Sequence, residues 1–268
     1  MEVISDKNSL QELLKKYTVE GKSIGFCPTM GYLHQGHISL VEQSKKRCDI
    51  SVVSIYVNPS QFNNVEDFEK YPRDVEKDLI LLKNNAVDIV WVPNQKEIET
   101  VDLNFSIDFK GLDSVMEGFY RPGHFKGVSE VVYRLFKVVQ PNFAFFGTKD
   151  YQQLQIIKLL IAQNNLAIEL VPVETLRAEK GLALSSRNAR LSKDALVLAN
   201  EIFTQLNLVK KNINNTNFLE LQNTYKQQLQ QLGMEVEYLE KFDFADGTSR
   251  LFTAVYLEKV RLIDNIEL

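Results

Sequence analysis

Two hydrophobic periods alternate along the first two thirds of the chain. Ile24-Gly25-Phe26-Cys27 is a short apolar run that Pro28 is expected to end, and Ile38, Leu40 and Val41 then open a helical pattern. This pair is taken as the first strand and first helix. Ser51 to Val57 is a β-branched run, followed by a helix beginning near Asp74 with Val75, Leu79 and Leu82 at helical spacing. Val87 to Val92 reads as a strand closed by Pro93. Val128, Val131, Val132, Leu135, Phe136 and Val139 then fall on one helical stripe. Phe143 to Phe146 is a short buried strand, Leu154 to Ile161 an apolar helix, and Ala167 to Val171 a strand before Pro172. Strands alternating with helices predict an α/β fold, a Rossmann-like doubly wound parallel sheet covered on both faces. Ligands of such sheets bind at the carboxyl ends of the strands, where the strand order reverses.

The pattern changes after about Arg190. Helical stripes at Ala195–Phe203 and Phe218–Leu232 are followed by strand-like runs at Glu235–Leu239, Leu251–Leu257 and Val260–Ile263. This order predicts a smaller C-terminal α+β lid domain over residues 176–268, behind a Rossmann-like domain over 1–175. The polar, Asn-rich stretch Lys210 to Asn217 is expected to be an exposed loop.

Composition narrows the function without choosing it. In 268 residues, 44% hydrophobic and 25% charged, there is ample chain for a packed core. A net charge of −4 gives no general attraction to nucleic acid, so a polyphosphate would need a local basic pocket. Cys27 and Cys48 fit no metal or disulfide spacing and read as small buried hydrophobes. No basic stretch precedes an apolar run at the start, and no segment is apolar enough to span a bilayer. A cytoplasmic enzyme with no membrane or nucleic-acid partner is expected.

Four stretches at predicted strand ends carry the chemistry. Pro28 to His37 holds two of the three histidines where strand turns into helix. Unpaired amides at a helix start suit a phosphate, Gly31 and Gly36 allow close approach, and imidazoles three residues apart can donate to phosphate oxygens. Val57-Asn58-Pro59-Ser60-Gln61-Phe62 offers two amide side chains for reading a carboxylate and hydroxyls. Gly147-Thr148-Lys149-Asp150 combines a close-approach glycine, a point charge, and an acid that would cap the next helix or meet a ribose hydroxyl. Gln153 follows on that helix. Gly181 to Asn188 carries Ser185, Ser186 and Arg187, hydroxyls and a guanidinium fork suited to clamping a triphosphate. His124, ahead of the long helix, reads as a structural residue, and Arg121 as an unassigned cation.

Taken together these residues resemble the pantothenate synthetases, the pantoate–β-alanine ligase family of the HIGH-type nucleotidyltransferase superfamily. The resemblance rests on Pro28-Thr-Met-Gly-Tyr-Leu-His-Gln-Gly-His37, Tyr56-Val-Asn-Pro-Ser-Gln-Phe62, Tyr71-Pro-Arg-Asp74 and Glu117-Gly-Phe-Tyr-Arg-Pro-Gly-His-Phe125. Phe146-Gly-Thr-Lys-Asp-Tyr-Gln-Gln153 and Gly181-Leu-Ala-Leu-Ser-Ser-Arg-Asn188 complete it. It implies that Met30, Gly31, Tyr32, Leu33, His34, Gln35, Gly36 and His37 line an ATP site, with His37 the catalytic acid. It implies further ATP contacts from Gly147, Thr148, Lys149, Asp150, Leu176, Leu184, Ser185, Ser186 and Arg187. Catalysis would rest on His34, His37, Lys149, Ser185, Ser186 and Arg187, with pantoate held by Gln61 and Gln153 and β-alanine near Gln61. In some members acidic residues after the Tyr-Pro-Arg stretch help place magnesium; here Lys77 interrupts Asp74, Glu76 and Asp78. No protein metal ligand is therefore assigned, and Mg²⁺ is expected to arrive with ATP, held by phosphates and water.

The reaction implied is condensation of pantoate with β-alanine through a pantoyl adenylate, releasing pyrophosphate and AMP, in a homodimer. The stripe Val128–Val139 serves either as dimer interface or as core. Two other readings compete: a sister nucleotidyltransferase moving AMP or CMP onto a phosphate ester, and an idle nucleotide-sensing module.

Overall fold

The computed structural model describes residues 1–268, and the chain divides into two compact units, Met1–Glu174 and Thr175–Leu268. In the first unit β1 (Glu2–Ile4) and α1 (Lys7–Val19) precede β2 (Ile24–Thr29) and α2 (Gln35–Arg47). Then come β3 (Ile50–Ile55), α3 (Val65–Glu69), α4 (Val75–Asn84), β4 (Ile89–Trp91), α5 (Gln95–Glu99) and α6 (Met116–Tyr120). The long α7 (His124–Val139), β5 (Phe143–Gly147), α8 (Tyr151–Gln163) and β6 (Glu169–Val173) close it. The strand and helix expected to come first are thus the second of each. β1 is three residues with exposed Glu2 and Val3, and α1 buries only Leu10 and Leu14.

The sheet is parallel throughout, in the order β1-β4-β3-β2-β5-β6. From β2 the chain steps one way to β3 and β4, and later returns to the other side for β5 and β6. The order therefore reverses between β2 and β5, and a binding crevice opens at their carboxyl ends.

Of the three prolines expected to end strands, Pro93 lies beyond β4 as expected, whereas Pro28 and Pro172 lie inside β2 and β6. Ile24 bonds to the β5 side through its amide and its carbonyl, so by alternation Pro28 faces that side too, beyond Phe26, the last β2 residue that β5 pairs. No ladder bond is lost there. Pro172 sits in β6, an outermost strand, where a missing N–H is tolerated.

Two apolar layers sandwich the sheet. Ile38, Val41 and Leu82 from α2 and α4 pack with Val53, Val90 and Phe145 on one face. On the other, α1, α7 and α8 pack with Phe26, Val52, Trp91 and Ala144. Every member of the Val128–Val139 stripe is buried within this second layer, so the stripe is core and not an interface. Each such side chain contributes about 1.5–3 kcal/mol by leaving water.

The second unit holds α9 (Lys193–Leu198), α10 (Asn200–Asn212), α11 (Phe218–Gln231) and an antiparallel sheet β7 (Glu235–Asp243), β8 (Ser249–Leu257), β9 (Val260–Glu267). α10 runs three residues into the expected polar loop, because Lys210 and Lys211 extend its exposed face while Val209 is buried. No helix is long and apolar enough to cross a membrane.

Candidate active site

The loop from β2 into α2 is tightly determined. Gly31 and Tyr32 both take left-handed backbone, φ +77° and +50°, which only glycine adopts without strain. The turn is held by Asp78 of α4, whose carboxylate accepts from the Tyr32 amide at 2.7 Å and the Leu33 amide at 2.6 Å. His34 then caps α2. Its Nδ1 accepts from the Gly36 amide at 3.1 Å, while His37 Nδ1 accepts from the His34 amide at 3.2 Å, a reciprocal capping box built from two imidazoles. The amides of His37 and Ile38 bond to the His34 carbonyl. Unpaired amides were expected to receive a phosphate here; those of Tyr32, Leu33, His34, Gly36, His37 and Ile38 are occupied within the fold.

This changes which atoms face a ligand. An Nδ1 that accepts an N–H leaves the ring proton on Nε2, so both histidines present Nε2–H donors. Their rings lie 4.1 Å apart. Burial, then the Lys149 charge, lowers the His34 pKa to about 4; burial, His34 and Lys149 lower that of His37 to about 3. Both are neutral at pH 7. His37 is half-buried.

The neighbouring strand β5 supplies the opposite wall. Gly147 ends it with open space where a Cβ would stand, and Thr148–Asp150 form a 3-10 turn into α8. Lys149 Nζ lies 3.5 Å from Asp150 Oδ1. Asp150 occupies the N-cap position of α8 but makes no side-chain cap, contrary to that expectation. Because β2 and β5 are adjacent, the histidine loop and Lys149 share the crevice, and both imidazoles feel the Lys149 charge.

Beyond β3, the 3-10 turn Pro59–Gln61 places the Gln61 side-chain amide against Met30 Sδ. The Gln61 carbonyl is gripped from behind by Arg121 Nη2 at 3.2 Å and by the ring of buried His124 at 2.8 Å. Gly127 lets α7 pack here, since a Cβ would stand 2.3 Å from the Ser60 carbonyl oxygen. Asn58, expected to read substrate, is instead buried: its Oδ1 caps Ser60 and its Nδ2 donates to the Gly127 carbonyl at 3.1 Å. The glutamine pair on α8 divides similarly. Gln152 is buried, accepting from the Glu117 amide and donating to the Leu112 and Val115 carbonyls, while Gln153 is half-buried.

The remaining candidates lie in the second unit. The Leu184 amide donates to the Leu176 carbonyl at 3.0 Å, and Arg177 and Ala183 form a bridge beside them. Arg177 anchors this pair through a bidentate bond to Asp264 (2.6 and 2.9 Å) and by lying 3.9 Å over the Phe203 ring. Ser185 Oγ caps the 3-10 turn Ser186–Arg190 by accepting from the Arg187 amide.

A family model described as pantoate-beta-alanine ligase matches residues 2–267. The pantothenate synthetase of Christiangramia forsetii is 43% identical over 295 residues, covering 100% of this chain and 99% of its own; that of Caldicellulosiruptor saccharolyticus is 40% identical, covering 99% of each. The chain belongs to the pantoate–β-alanine ligase family.

Solved structures agree. Pantothenate synthetase from Thermus thermophilus superposes with a TM-score of 0.89 at 35% identity, covering 100% of this chain and 99% of that one. Pantoate–β-alanine ligase from Francisella tularensis, complexed with beta-gamma ATP and β-alanine, gives 0.87 at 33% identity over 100% and 97%. This member of the ligase family is therefore an enzyme, and the sister-transferase and sensor readings fall away.

The ligase's acidic residues do not form a metal cage. Asp74 caps Lys77, Asp78 is engaged with Tyr32 and Leu33, and no three His, Cys, Asp or Glu side chains group as a ligand set. Three residues that shape the site, Asp78, Gln152 and Arg121, went unassigned in the sequence, whereas His124, read there as structural, is buried against the Gln61 carbonyl as a structural residue. Asp78 and Gln152 had no signal beyond an acid within a helix and the first of a glutamine doublet. Arg121 and His124 lay in a recognised motif, but their target is a main-chain carbonyl that no side-chain pattern records.

Proposed function

We propose that this enzyme condenses pantoate with β-alanine at the expense of ATP, in two steps that share the crevice between β2 and β5. The pantoate carboxylate attacks the α-phosphorus of Mg·ATP and pyrophosphate leaves; the β-alanine amine then attacks the acyl carbon of the adenylate and AMP leaves. The observation that carries the reading is the convergence of two neutral Nε2–H imidazoles and Lys149 at the switch point of the sheet. Charge accumulates on phosphate oxygens in the first step, and neutral donors with a nearby fixed cation stabilise it without surrendering a proton. Each donor contributes ~3 kcal/mol, about a hundredfold in rate.

Within this reading Met30 to His37 and Gly147 to Asp150 border the nucleotide, with His37 donating through Nε2 to the phosphate under attack. Gln61, its amide against Met30, holds pantoate and receives β-alanine, and Gln153 completes the pantoate site. Leu176 and Leu184, joined in one backbone pair, take the adenosine, and Ser185, Ser186 and Arg187 meet the triphosphate and keep water from the adenylate. Mg²⁺ enters as part of its nucleotide substrate. The enzyme works as a cytoplasmic homodimer. Pyrophosphate release with ATP, pantoate and β-alanine, omitting each in turn, tests the assignment: activity that does not require pantoate refutes it.

A further inference from the structure

We propose that Asp78 is a positioning residue that holds the histidine loop in its working shape, and that it is not a ligand for the divalent cation. The inference rests on the two-step reading above for its kinetic readout, and on the structure alone for its geometry. Asp78 is 2% exposed, and each carboxylate oxygen is committed to a main-chain amide, Oδ2 to Tyr32 at 2.7 Å and Oδ1 to Leu33 at 2.6 Å. Those distances belong to charge-assisted bonds. The two amides come from consecutive residues, and they converge because Gly31 and Tyr32 are left-handed, the geometry by which successive N–H groups enclose one anion. In many proteins the anion in such a nest is a ligand; here it is a side chain of the protein.

The packing leaves the turn little alternative. A Cβ on Gly31 would stand 3.0 Å from Asp78 Oδ2 and 3.0 Å from Ile55 Cγ2, so the loop is pressed between α4 and β3. Asp74 fixes α4 one turn earlier, its side chain accepting from the Lys77 amide and its carbonyl from the Asp78 amide. Leu33 leads directly into His34, whose own amide sets the His37 ring. A chain of bonds thus runs from the Asp78 carboxylate to both imidazoles. A cation ligand needs lone pairs open to the metal and its waters. Each Asp78 oxygen has given one lone pair to an amide, and at 2% exposure the remaining ones are closed to a hydrated metal.

The test compares the full chain with Asp78→Asn, which keeps the volume and one acceptor but turns an amide group toward an N–H. Pantoate-dependent pyrophosphate release is followed across a Mg²⁺ titration. The expected result is a kcat lower by about a hundredfold, as for a small misplacement of reacting groups. The pantoate KM and the half-saturating Mg²⁺ concentration should stay within about twofold of the parent, as expected when ligand contacts are untouched. A half-saturating Mg²⁺ that rises, with kcat restored at high Mg²⁺, would identify a metal ligand and overturn the proposal; so would an unchanged kcat. Amide exchange in the unsubstituted protein supplies a second reading that depends neither on activity nor on the variant's folding. The Tyr32 and Leu33 amides should be protected well beyond an ordinary surface turn, and exchange at loop-like rates would refute the clamp. If the parent releases no pyrophosphate with pantoate, the functional reading fails while the exchange data still decide the role of Asp78.

Discussion

Replacing His37 separates its structural part from its chemical one. Its Nδ1 accepts from the His34 amide at 3.2 Å, and its ring lies 4.1 Å from that of His34, tilted by 46°. His37→Ala removes one arm of the capping box, a loss of about 1 kcal/mol, with a further contribution from the half-buried ring. For a chain of this size that is a fall of ~3 °C in Tm. Loss of the Nε2–H donor to the reacting phosphate should cost ~3 kcal/mol in the transition state, lowering kcat for pyrophosphate release by about 10²–10³. His37→Asn separates the two effects: its side-chain oxygen can accept the His34 amide, so stability should recover while the rate does not. Unfolding of both variants by heat, with pyrophosphate release at saturating Mg·ATP and pantoate, measures each part. Turnover of His37→Ala within threefold of the parent, or a rate that tracks only the folded fraction, would refute the assignment.

The remaining predictions follow from the same geometry. Because folding lowers the pKa of His34 to about 4 and of His37 to about 3, the unfolded chain binds more protons below pH 6.5. Their contribution is intact above pH 6.5 and is lost as pH falls toward the folded values, at ~1.4 kcal/mol per pH unit per histidine. Urea unfolding at pH 7 and pH 5 should show this loss, and His37→Asn should shrink it; equal slopes would contradict the burial of a neutral His37. Gln153→Ala should raise the pantoate KM and spare ATP binding, whereas Gln152→Ala should cost ~2–3 kcal/mol of stability by orphaning the Glu117 amide and the Leu112 and Val115 carbonyls. The reverse pattern would show the doublet misread. Asp264→Ala strands the Arg177 guanidinium and should cost ~3–5 kcal/mol, seen as early unfolding of the second unit, with weakened ATP binding; an unchanged Tm would show that Arg177 is not its anchor.

The parallel sheet was legible because β2, β3 and β5 are largely buried and carry short apolar or β-branched runs between helical stripes, although Ser51 and Ser54 interrupt β3. β1 and α1 escaped notice because an outermost three-residue strand and a helix with two buried leucines leave almost no periodicity. Pro28 and Pro172 misled because a proline breaks a strand only where its missing N–H would have met a neighbour. Of the site, the residue types at the strand ends were readable, but not how their polar groups are spent. Asn58 and Gln61 look equivalent in sequence, yet the Gly127 carbonyl engages the first and Met30 the second. The main-chain amides of the histidine loop looked available for phosphate until Asp78, forty-five residues beyond Leu33, was seen to hold two of them.

Pyrophosphate release without the amine tests the two-step account most directly. Enzyme mixed with Mg·ATP and pantoate alone should release about one pyrophosphate per site and then nearly stop, because the mixed anhydride stays shielded from water until an amine attacks it. Adding β-alanine should restart turnover and release AMP. Pyrophosphate that appears only once β-alanine is present, or ADP and phosphate as products, would contradict the account.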